Sequence, residues 1–255
     1  MAGPSPPVSG DDAAALLPTH GRVVMVSGAS RGLGAAIARR LHGDGYSLSL
    51  GVRDPDQTRR SLGPTAAEPT LVERFDATLA ATAGRWVEAT VARFGRLDGL
   101  VNNAGILTRV TFDEGSDEQL DELWTVNVKA PFRLIRLALP HLKATGHGRI
   151  VNIASTDAKR YRDPSVSVGY AMSKHALLAV SHAAKFAGWE AGVRVTALCP
   201  GAIDTQLVAG LAGITSGVNR LAPATVAEIV SFLLRLPDTA TIAELVVNTR
   251  LESTL

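Results

Sequence analysis

The chain has one cysteine, Cys199, little net charge and no long apolar run. A single thiol excludes an intramolecular disulfide and a cysteine-based zinc site, and it fits a reducing compartment such as the cytoplasm. No window approaches the roughly eighteen continuous apolar residues of a membrane span, so no membrane partner is expected. The net charge of +2 comes from scattered Lys and Arg residues, which argues against nucleic-acid binding. The six histidines show no ligand spacing, so no metal site is predicted.

The composition does not divide the chain. No linker-like break and no internal repeat interrupts residues 22–255, for which one domain is predicted. Residues 1–21 are rich in Pro, Gly and Ala and carry Asp11 and Asp12. They lack the basic start and apolar block of a signal peptide, and they are too acidic for a transit peptide. We expect them to form a flexible tail.

Short apolar runs alternate with amphipathic stretches of helical length, the clearest at Thr82–Phe94. This alternation predicts an α/β fold with a mostly parallel sheet and helices on both faces. In such a fold, ligands bind at the carboxyl ends of the strands. Trp86 and Trp124 are interpreted as core residues. Strands are predicted at Arg22–Ser27, Ser47–Val52, Leu71–Phe75, Gly99–Asn102, Arg149–Ile153, Val193–Cys199 and Glu244–Val247.

A glycine-rich turn joins the first predicted strand directly to the first predicted helix. Glycines permit a tight turn and a close backbone approach, while the helix start directs unpaired amides towards phosphate. The spacing is G-x-x-x-G-x-G, and no Lys-Ser or Lys-Thr follows it, as a Walker loop would require. A turn without ligand is the alternative, but the position favours a nucleotide. The candidate residues are Gly28, Ser30, Arg31, Gly32, Leu33 and Gly34.

Tyr170 and Lys174 are four residues apart in a stretch that reads as helix, which places them on one helical face. An ammonium beside a phenol lowers the phenol pKa, so the pair predicts proton exchange near neutral pH. The alternative is a solvated pair on a helix surface.

Six motifs in one order resemble the classical short-chain dehydrogenase/reductase family, from about residue 22 to about residue 247. Besides the glycine turn and the Tyr-x-x-x-Lys pair, they are Asn102-Asn103-Ala104-Gly105, Asn127 in Trp124-Thr-Val-Asn-Val, Ser155 after the fifth strand, and Cys199-Pro200-Gly201-Ala202-Ile203-Asp204-Thr205. The resemblance implies a single-domain Rossmann fold, doubly wound around a seven-stranded sheet. It also implies a catalytic set of Asn127, Ser155, Tyr170 and Lys174.

The resemblance further implies contacts to a dinucleotide. Asp76 resembles the residue that binds the adenine amine, although a strand-end cap is the alternative role. The other implied contacts are Ala77, Asn103, Ala104, Gly105, Tyr170, Lys174, Pro200, Gly201, Ile203 and Thr205.

Two features depart from the family pattern. Ser155 and Tyr170 are fifteen residues apart, which is longer than the common spacing. Ser165 and Ser167 are therefore fallback candidates for the serine, with loop or helix-cap roles favoured for both. The last strand lacks the usual Asp-Gly-Gly ending.

The end of the second strand predicts which dinucleotide binds. An acidic residue about twenty positions beyond the glycines binds the ribose hydroxyls of NAD, whereas an arginine accommodates the 2′-phosphate of NADP. The deciding position here is Val52, followed by Arg53, and Asp54 lies too far along. Arg31 can meet the same phosphate. NADP(H) is predicted, with NAD(H) as the alternative cofactor and a surface turn pair as the alternative role of Arg53 and Asp54.

The resemblance predicts an NADP(H)-dependent oxidoreductase that interconverts a carbonyl compound and its alcohol. Tyr170 is the expected acid/base and Ser155 the second hydrogen-bond donor. Lys174 is expected to lower the pKa of Tyr170 and to bind ribose, and Asn127 to hold a water. Thr205 and the Ile203 backbone are expected to orient the carboxamide. The alternatives are an NAD-dependent alcohol or sugar dehydrogenase and a non-catalytic dinucleotide sensor.

Two further expectations concern the substrate and the assembly. Gln206–Ala222 is largely small and apolar, which favours an apolar or aromatic carbonyl substrate. By resemblance, a homodimer or homotetramer is expected to form through the helices around Asn127–Leu142 and Tyr170–Trp189.

Overall fold

The computed structural model describes residues 15–161, 164–205 and 220–249. They form one sheet in the order β3-β2-β1-β4-β5-β6-β7, and each neighbouring pair is parallel. The predicted doubly wound, seven-stranded α/β fold is confirmed. The strands are β1 Val23–Ser27, β2 Ser47–Val52, β3 Leu71–Arg74, β4 Gly99–Asn102, β5 Arg149–Ile153, β6 Arg194–Pro200 and β7 Glu244–Val247.

Helices connect the strands and cover the sheet. A π-helical turn, Thr125–Lys129, joins α4 to α5, and a 3-10 turn, Thr156–Ala158, follows β5. Within the described residues, no helix is both long and apolar enough to cross a bilayer. The helices are α1 Gly32–Gly43, α2 Pro55–Leu62, α3 Ala80–Phe94, α4 Asp117–Trp124, α5 Ala130–Ala144, α6 Val168–Gly188 and α7 Pro223–Arg235.

Both faces of the sheet are buried, as strand β1 shows. Val24 and Val26 belong to the apolar cluster with α1 and α7, whereas Val23 and Met25 belong to the cluster with α3 and α5. A strand covered on both sides needs apolar residues at every position. This explains the continuous apolar runs in the sequence.

The two tryptophans assigned to the core differ in environment. Trp86 is fully buried, and its Nε1 donates a hydrogen bond to the Ser49 hydroxyl at 2.9 Å. Trp124 is 37% exposed, so the core interpretation is wrong for it. The preceding residue, Leu123, fills the buried position of α4, and a neighbour in a helix points about 100° away.

The chain contacts the domain before residue 22. The Leu17 amide donates to the carbonyl of Arg235 at 2.7 Å, and the Thr19 hydroxyl donates to the carbonyl of Asp44 at 2.5 Å. These two hydrogen bonds join Leu17 to the end of α7 and Thr19 to the end of α1, and the flexible tail of residues 1–21 stays a prediction. Residues 1–14 lie outside the described part of the chain.

The order of the strands reverses between β1 and β4, which are neighbours in the sheet. At such a point the connections leave in opposite directions and open a crevice at the carboxyl edge. The glycine turn follows β1, and Asn103-Ala104-Gly105 follows β4. The fold thus brings these two predicted segments to one place.

Candidate active site

The glycine turn after β1 packs against neighbouring backbone too closely for side chains. Gly28 has a φ of +70°, and a Cβ there would lie 3.0 Å from the Cα of Ala104. A Cβ on Gly34 would lie 2.1 Å from the carbonyl oxygen of Gly28. Helix α1 therefore starts directly against the turn, an arrangement that a larger residue would disrupt.

Ser27 and Asn103 hold the turns after β1 and β4 together. The Ser27 hydroxyl accepts the backbone amides of Asn103 and Ala104, both at 3.0 Å. The Asn103 side chain donates to the carbonyls of Ser27 at 2.9 Å and Gly28 at 3.2 Å. Sequence reasoning missed Ser27. A small hydroxyl residue immediately before the first glycine is the signal that could have found it.

The amino end of α1 presents amides at this crevice. Its N-cap is Arg31, and no side-chain hydrogen bond caps the helix within the described residues. Ser30, Arg31 and Gly32 are exposed, whereas Leu33 is buried in the core. A helix start with exposed amides and a nearby guanidinium suits a phosphate anion. The close-packed glycine turn and these amides fit the pyrophosphate of a dinucleotide.

The segment after β6 lies beside the glycine turn. A Cβ on Gly32 would be 3.5 Å from the Thr205 side chain. Pro200 ends β6, the Gly201 amide donates to the Val247 carbonyl at 2.7 Å, and Ile203 pairs with Leu221. Thr205 therefore lies near the phosphate end of the crevice. Of the predicted substrate-covering segment Gln206–Ala222, residues 206–219 lie outside the described part of the chain.

At the end of β2, the acidic residue is already engaged. The Asp54 carboxylate accepts the Gln57 amide at 2.9 Å and caps α2, while Arg53 is exposed. Asp54 is thus a helix cap. The expected pairing of Arg53 with a phosphate stays a prediction.

Asp76 follows β3 next to half-buried Ala77. Its carboxylate accepts the Thr78 amide at 3.0 Å and hydroxyl at 2.7 Å. The hydroxyl hydrogen bond lowers the pKa of Asp76 most, and the charge of Arg53 contributes to the same direction. These bonds match the strand-end cap alternative, and the adenine contact stays a prediction.

Ser155 and Tyr170 lie together at the carboxyl edge. Ser155 follows β5, is buried, and accepts the Asp157 amide on its Oγ at 3.1 Å. Tyr170 is buried near the start of α6, whose N-cap is Ser167. The Ser167 hydroxyl accepts the Tyr170 amide at 3.2 Å, so Ser167 is the helix cap that the sequence favoured, and Ser165 is exposed.

Burial dominates the protonation of Tyr170. It raises the pKa of the phenol well above its ordinary value, the charge of Asp157 raises it further, and a hydrogen bond with Ser155 lowers it. The prediction that Lys174 lowers this pKa stays a prediction. The Lys174 ammonium lies 5.6 Å from the centre of the Tyr170 ring and donates to the Ile153 carbonyl at 2.8 Å. The hydrogen bond of the ammonium is therefore made to the Ile153 carbonyl and not to the phenol oxygen.

Lys174 is itself perturbed. Burial lowers the pKa of its ammonium to about 8. A buried lysine with a pKa in this range remains mostly protonated at neutral pH and can still exchange its proton.

Asn127 lies in the π-helical turn between α4 and α5, fully buried. Its side-chain oxygen accepts the Ile106 amide at 3.0 Å, and its side-chain nitrogen donates to the Ile106 carbonyl and the Ser173 hydroxyl, both at 3.0 Å. Asn127 thus ties the loop after β4 to α6. Sequence reasoning missed Ser173, and the expected water on Asn127 stays a prediction.

Gly105 has no side chain and so leaves space for two side chains of this cluster. A Cβ there would lie 3.3 Å from the Asn127 oxygen and 3.6 Å from the Lys174 ammonium. The structure therefore brings Asn127, Ser155, Tyr170 and Lys174 together below the glycine turn. The buried hydroxyls of Ser155 and Tyr170 can both bind one substrate oxygen, and the buried ammonium of Lys174 lies beside the Tyr170 ring.

The comparisons with known proteins agree with this geometry. The short chain dehydrogenase family model matches residues 22–212. An agropine synthesis reductase of Rhizobium rhizogenes is 39% identical over 219 residues, which are 86% of this chain and 50% of that protein. The chain thus spans about half the length of that curated relative.

Solved structures share the whole fold. An alcohol dehydrogenase from the archaeon Thermococcus sibiricus, complexed with 5-hydroxy-NADP, is 31% identical with a TM-score of 0.81, covering 91% of this chain and 99% of that one. A 3-ketoacyl-(acyl-carrier-protein) reductase from Brucella melitensis, complexed with NADH, is 28% identical with a TM-score of 0.82, covering 91% and 98%. The chain belongs to the short-chain dehydrogenase family.

Proposed function

We propose that the protein is an NADP(H)-dependent oxidoreductase that interconverts a carbonyl compound and its alcohol, with Tyr170 as the general acid and base. The observation that carries this proposal is the buried Ser155–Tyr170 hydroxyl pair beside Lys174. The names of the relatives, a reductase and an alcohol dehydrogenase among them, support the same reaction type.

Tyr170 is suited to donate a proton. Because burial raises its pKa, the phenol stays protonated at neutral pH and can protonate a substrate oxygen. The Ser155 hydroxyl gives that oxygen a second hydrogen bond, which stabilises developing negative charge. A nicotinamide dinucleotide, when bound, supplies or accepts the hydride. In the oxidative direction Tyr170, as the phenolate, accepts the proton of the alcohol hydroxyl while Ser155 donates a hydrogen bond to the alcohol oxygen.

Lys174 and Asn127 support this proton transfer. The ammonium lies at the ring of Tyr170, and its pKa of about 8 allows it to pass a proton on near neutral pH. Asn127 fixes the loop after β4 against Ser173, one residue before Lys174. We assign Asn127 the role of holding this loop and a water that leads to solvent.

We propose NADP(H) as the preferred cofactor. An NAD-binding site needs a free carboxylate at the end of β2. Here Val52 is apolar, and the Asp54 carboxylate caps α2. Arg53 and Arg31 are exposed cations at the same edge of the sheet, and guanidinium groups match a phosphate dianion.

We also propose an apolar or aromatic carbonyl substrate and a homodimer or homotetramer. Exposed aromatic residues on α5 and α6, Phe132 at 52% and Phe186 at 77%, support assembly through these helices. Sedimentation analysis that finds only monomers at micromolar concentration would contradict the assembly.

The test of the function is NADPH oxidation with a panel of ketones, aldehydes and diketones, with Tyr170→Phe as the control. The proposal expects turnover by the wild type and its loss in the variant. Faster turnover with NAD⁺ and alcohols or sugars would favour the NAD-dependent dehydrogenase. Tight NADPH binding without any turnover above the variant would favour the non-catalytic sensor.

A further inference from the structure

We infer that Glu244 is a positioning residue that anchors the turn bearing Ser155 to the helix bearing Tyr170. This inference rests on the proposed function, since it concerns the same hydroxyl pair. Glu244 is the first residue of β7, the strand at the edge of the sheet. It touches neither Ser155 nor Tyr170, so it acts through the elements that carry them.

The Glu244 carboxylate receives one group from each of these elements. Its Oε2 accepts the ammonium of Lys159, which lies at the end of the 3-10 turn that Ser155 begins. Its Oε1 accepts Nε2–H of His182 on α6 at 2.6 Å. The three side chains are between 23% and 39% exposed. The partly buried ion pair of Lys159 with Glu244 is screened less by salt than a surface pair.

Hydrogen bonds within the turn connect Lys159 to Ser155. The Ala158 amide donates to the Ser155 carbonyl at 3.0 Å, and the Lys159 amide donates to the Thr156 carbonyl at 2.9 Å. The Asp157 amide also donates to the Ser155 hydroxyl at 3.1 Å. Holding Lys159 therefore holds Ser155.

Glu244 is also the outermost residue of a row across the sheet in which three of the four side chains are polar. Asn102, Asn152, Ala197 and Glu244 are in register on four adjacent strands. Asn102 donates to Asn152 at 2.8 Å, and Asn152 donates to the Ser181 hydroxyl of α6 at 2.8 Å. The next residue of α6, His182, reaches Glu244 across the small Ala197. Helix α6 thus contacts this row through two consecutive residues, Ser181 and His182.

This anchoring answers a need of the site. Ser155 and Tyr170 must reach the same substrate oxygen, yet they are fifteen positions apart in the chain. Misplacement of such a group by about 1 Å can lower a rate by about a hundredfold. A hydrogen bond from Lys159 lowers the pKa of Glu244, with His182 contributing, so the anchor is charged at neutral pH.

The experiment is hydrogen exchange and steady-state kinetics on the full chain with Glu244→Gln. We expect faster exchange at residues 155–159, by at least about fivefold, and a kcat lower by about tenfold with an unchanged KM for NADPH. The matched control is Glu228→Gln, which removes an ion pair with Arg40 on the far side of the sheet and should change neither quantity. Lys159→Arg should preserve both quantities, and Lys159→Met should reproduce the effect of Glu244→Gln.

Unchanged exchange at residues 155–159 in Glu244→Gln would overturn the anchor. Faster exchange with an unchanged kcat would show that the anchor does not affect catalysis. Exchange that is equally faster in β1 and α1 would show that Glu244 stabilises the whole domain and does not specifically anchor the turn. A wild type that reduces no carbonyl compound would remove the proposed function, whereas the exchange data would still decide whether Glu244 anchors the turn.

Discussion

The two edges of the sheet use polar residues in opposite ways. At the carboxyl edge, the start of α1 presents amides that no side chain caps within the described residues, and Arg31 and Arg53 are exposed. At the amino edge, Arg149 is buried and donates to the carbonyls of Gly148, Gly192 and Leu236 and to Asp238. At the carboxyl edge the two arginines are exposed, whereas the buried guanidinium of Arg149 at the amino edge is hydrogen-bonded within the protein.

The amino edge is built around the end of α7. Arg22 donates to the Leu234 carbonyl at 2.9 Å and the His147 carbonyl at 3.0 Å. Leu234 and Leu236 lie at the last turn of α7, where helix carbonyls have no intrahelical partner. Cations also interact favourably with this end of the helix dipole. We therefore expect substitutions at the amino edge to change mainly stability, and substitutions at the carboxyl edge to change binding and rate, with a loss of stability where the glycine turn must shift.

The largest effect is expected for Gly34→Ala at the carboxyl edge. Its Cβ would lie 2.1 Å from the Gly28 carbonyl oxygen, so the turn must shift. We expect NADPH binding weaker by about a hundredfold and an unfolding free energy lower by about 2 kcal/mol. Calorimetry and denaturant unfolding measure the two quantities.

The control is Gly43→Ala in the same helix, where a Cβ meets nothing within 4 Å. It should stabilise the protein by up to about 1 kcal/mol and leave binding unchanged. Wild-type NADPH affinity in Gly34→Ala would contradict a cofactor site at this turn.

Arg149→Met tests the amino edge. Removing the guanidinium leaves the carbonyls of Gly192 and Leu236 without this donor and takes one of two partners from Asp238, so the unfolding free energy should fall by about 3 kcal/mol. The kcat of the folded protein should stay within twofold, roughly, of the wild type, because the site lies at the other edge. Exposed Arg85→Met on α3 is the control and should change stability by less than about 0.5 kcal/mol. A much lower kcat with normal stability in Arg149→Met would show that the amino edge also determines the rate.

Arg53→Ala tests the cofactor preference. Losing a cation near the 2′-phosphate should weaken NADPH binding by about tenfold and leave NADH binding unchanged. Titration of protein fluorescence with each cofactor measures this. Arg60→Ala, an exposed arginine of α2, removes the same charge and should change neither affinity. An equal loss for NADPH and NADH in Arg53→Ala would end the assignment of Arg53 to the phosphate.

The smallest effect is a pH dependence. Burial lowers the pKa of Lys174 to about 8, so the charged fraction falls as pH rises through that value. If the ammonium is the active form, kcat/KM for NADPH should fall about fourfold between pH 7 and pH 8.5. Initial rates across this range check it. A rise of kcat/KM over the same range would show that the neutral amine is the active form.

The sheet was predictable because its strands are buried on both faces. Ser47–Val52, Gly99–Asn102, Arg149–Ile153 and Glu244–Val247 have the predicted bounds. Strand β6 instead begins at Arg194 and extends through Pro200, where pairing with β7 continues beyond the apolar run.

The site was predictable only where its chemistry is local in sequence. The spacing of Tyr170 and Lys174 places both on α6, but the direction of the Tyr170 pKa depends on burial, which the spacing does not contain. The partners of Asn127, at Ile106 and Ser173, are 21 and 46 residues away. The π-helical turn that directs Asn127 inward has no distinct local pattern in the sequence.

A single-turnover measurement tests most directly whether Tyr170 is the proton donor. Protein loaded with NADPH is mixed with a carbonyl compound that the wild type reduces, and NADPH fluorescence is followed in the wild type and in Tyr170→Phe. The phenol should be the proton donor, so the variant should react about a thousandfold more slowly while binding NADPH and melting as the wild type does. A variant that binds NADPH normally and reacts at the wild-type rate would exclude Tyr170 as the proton donor.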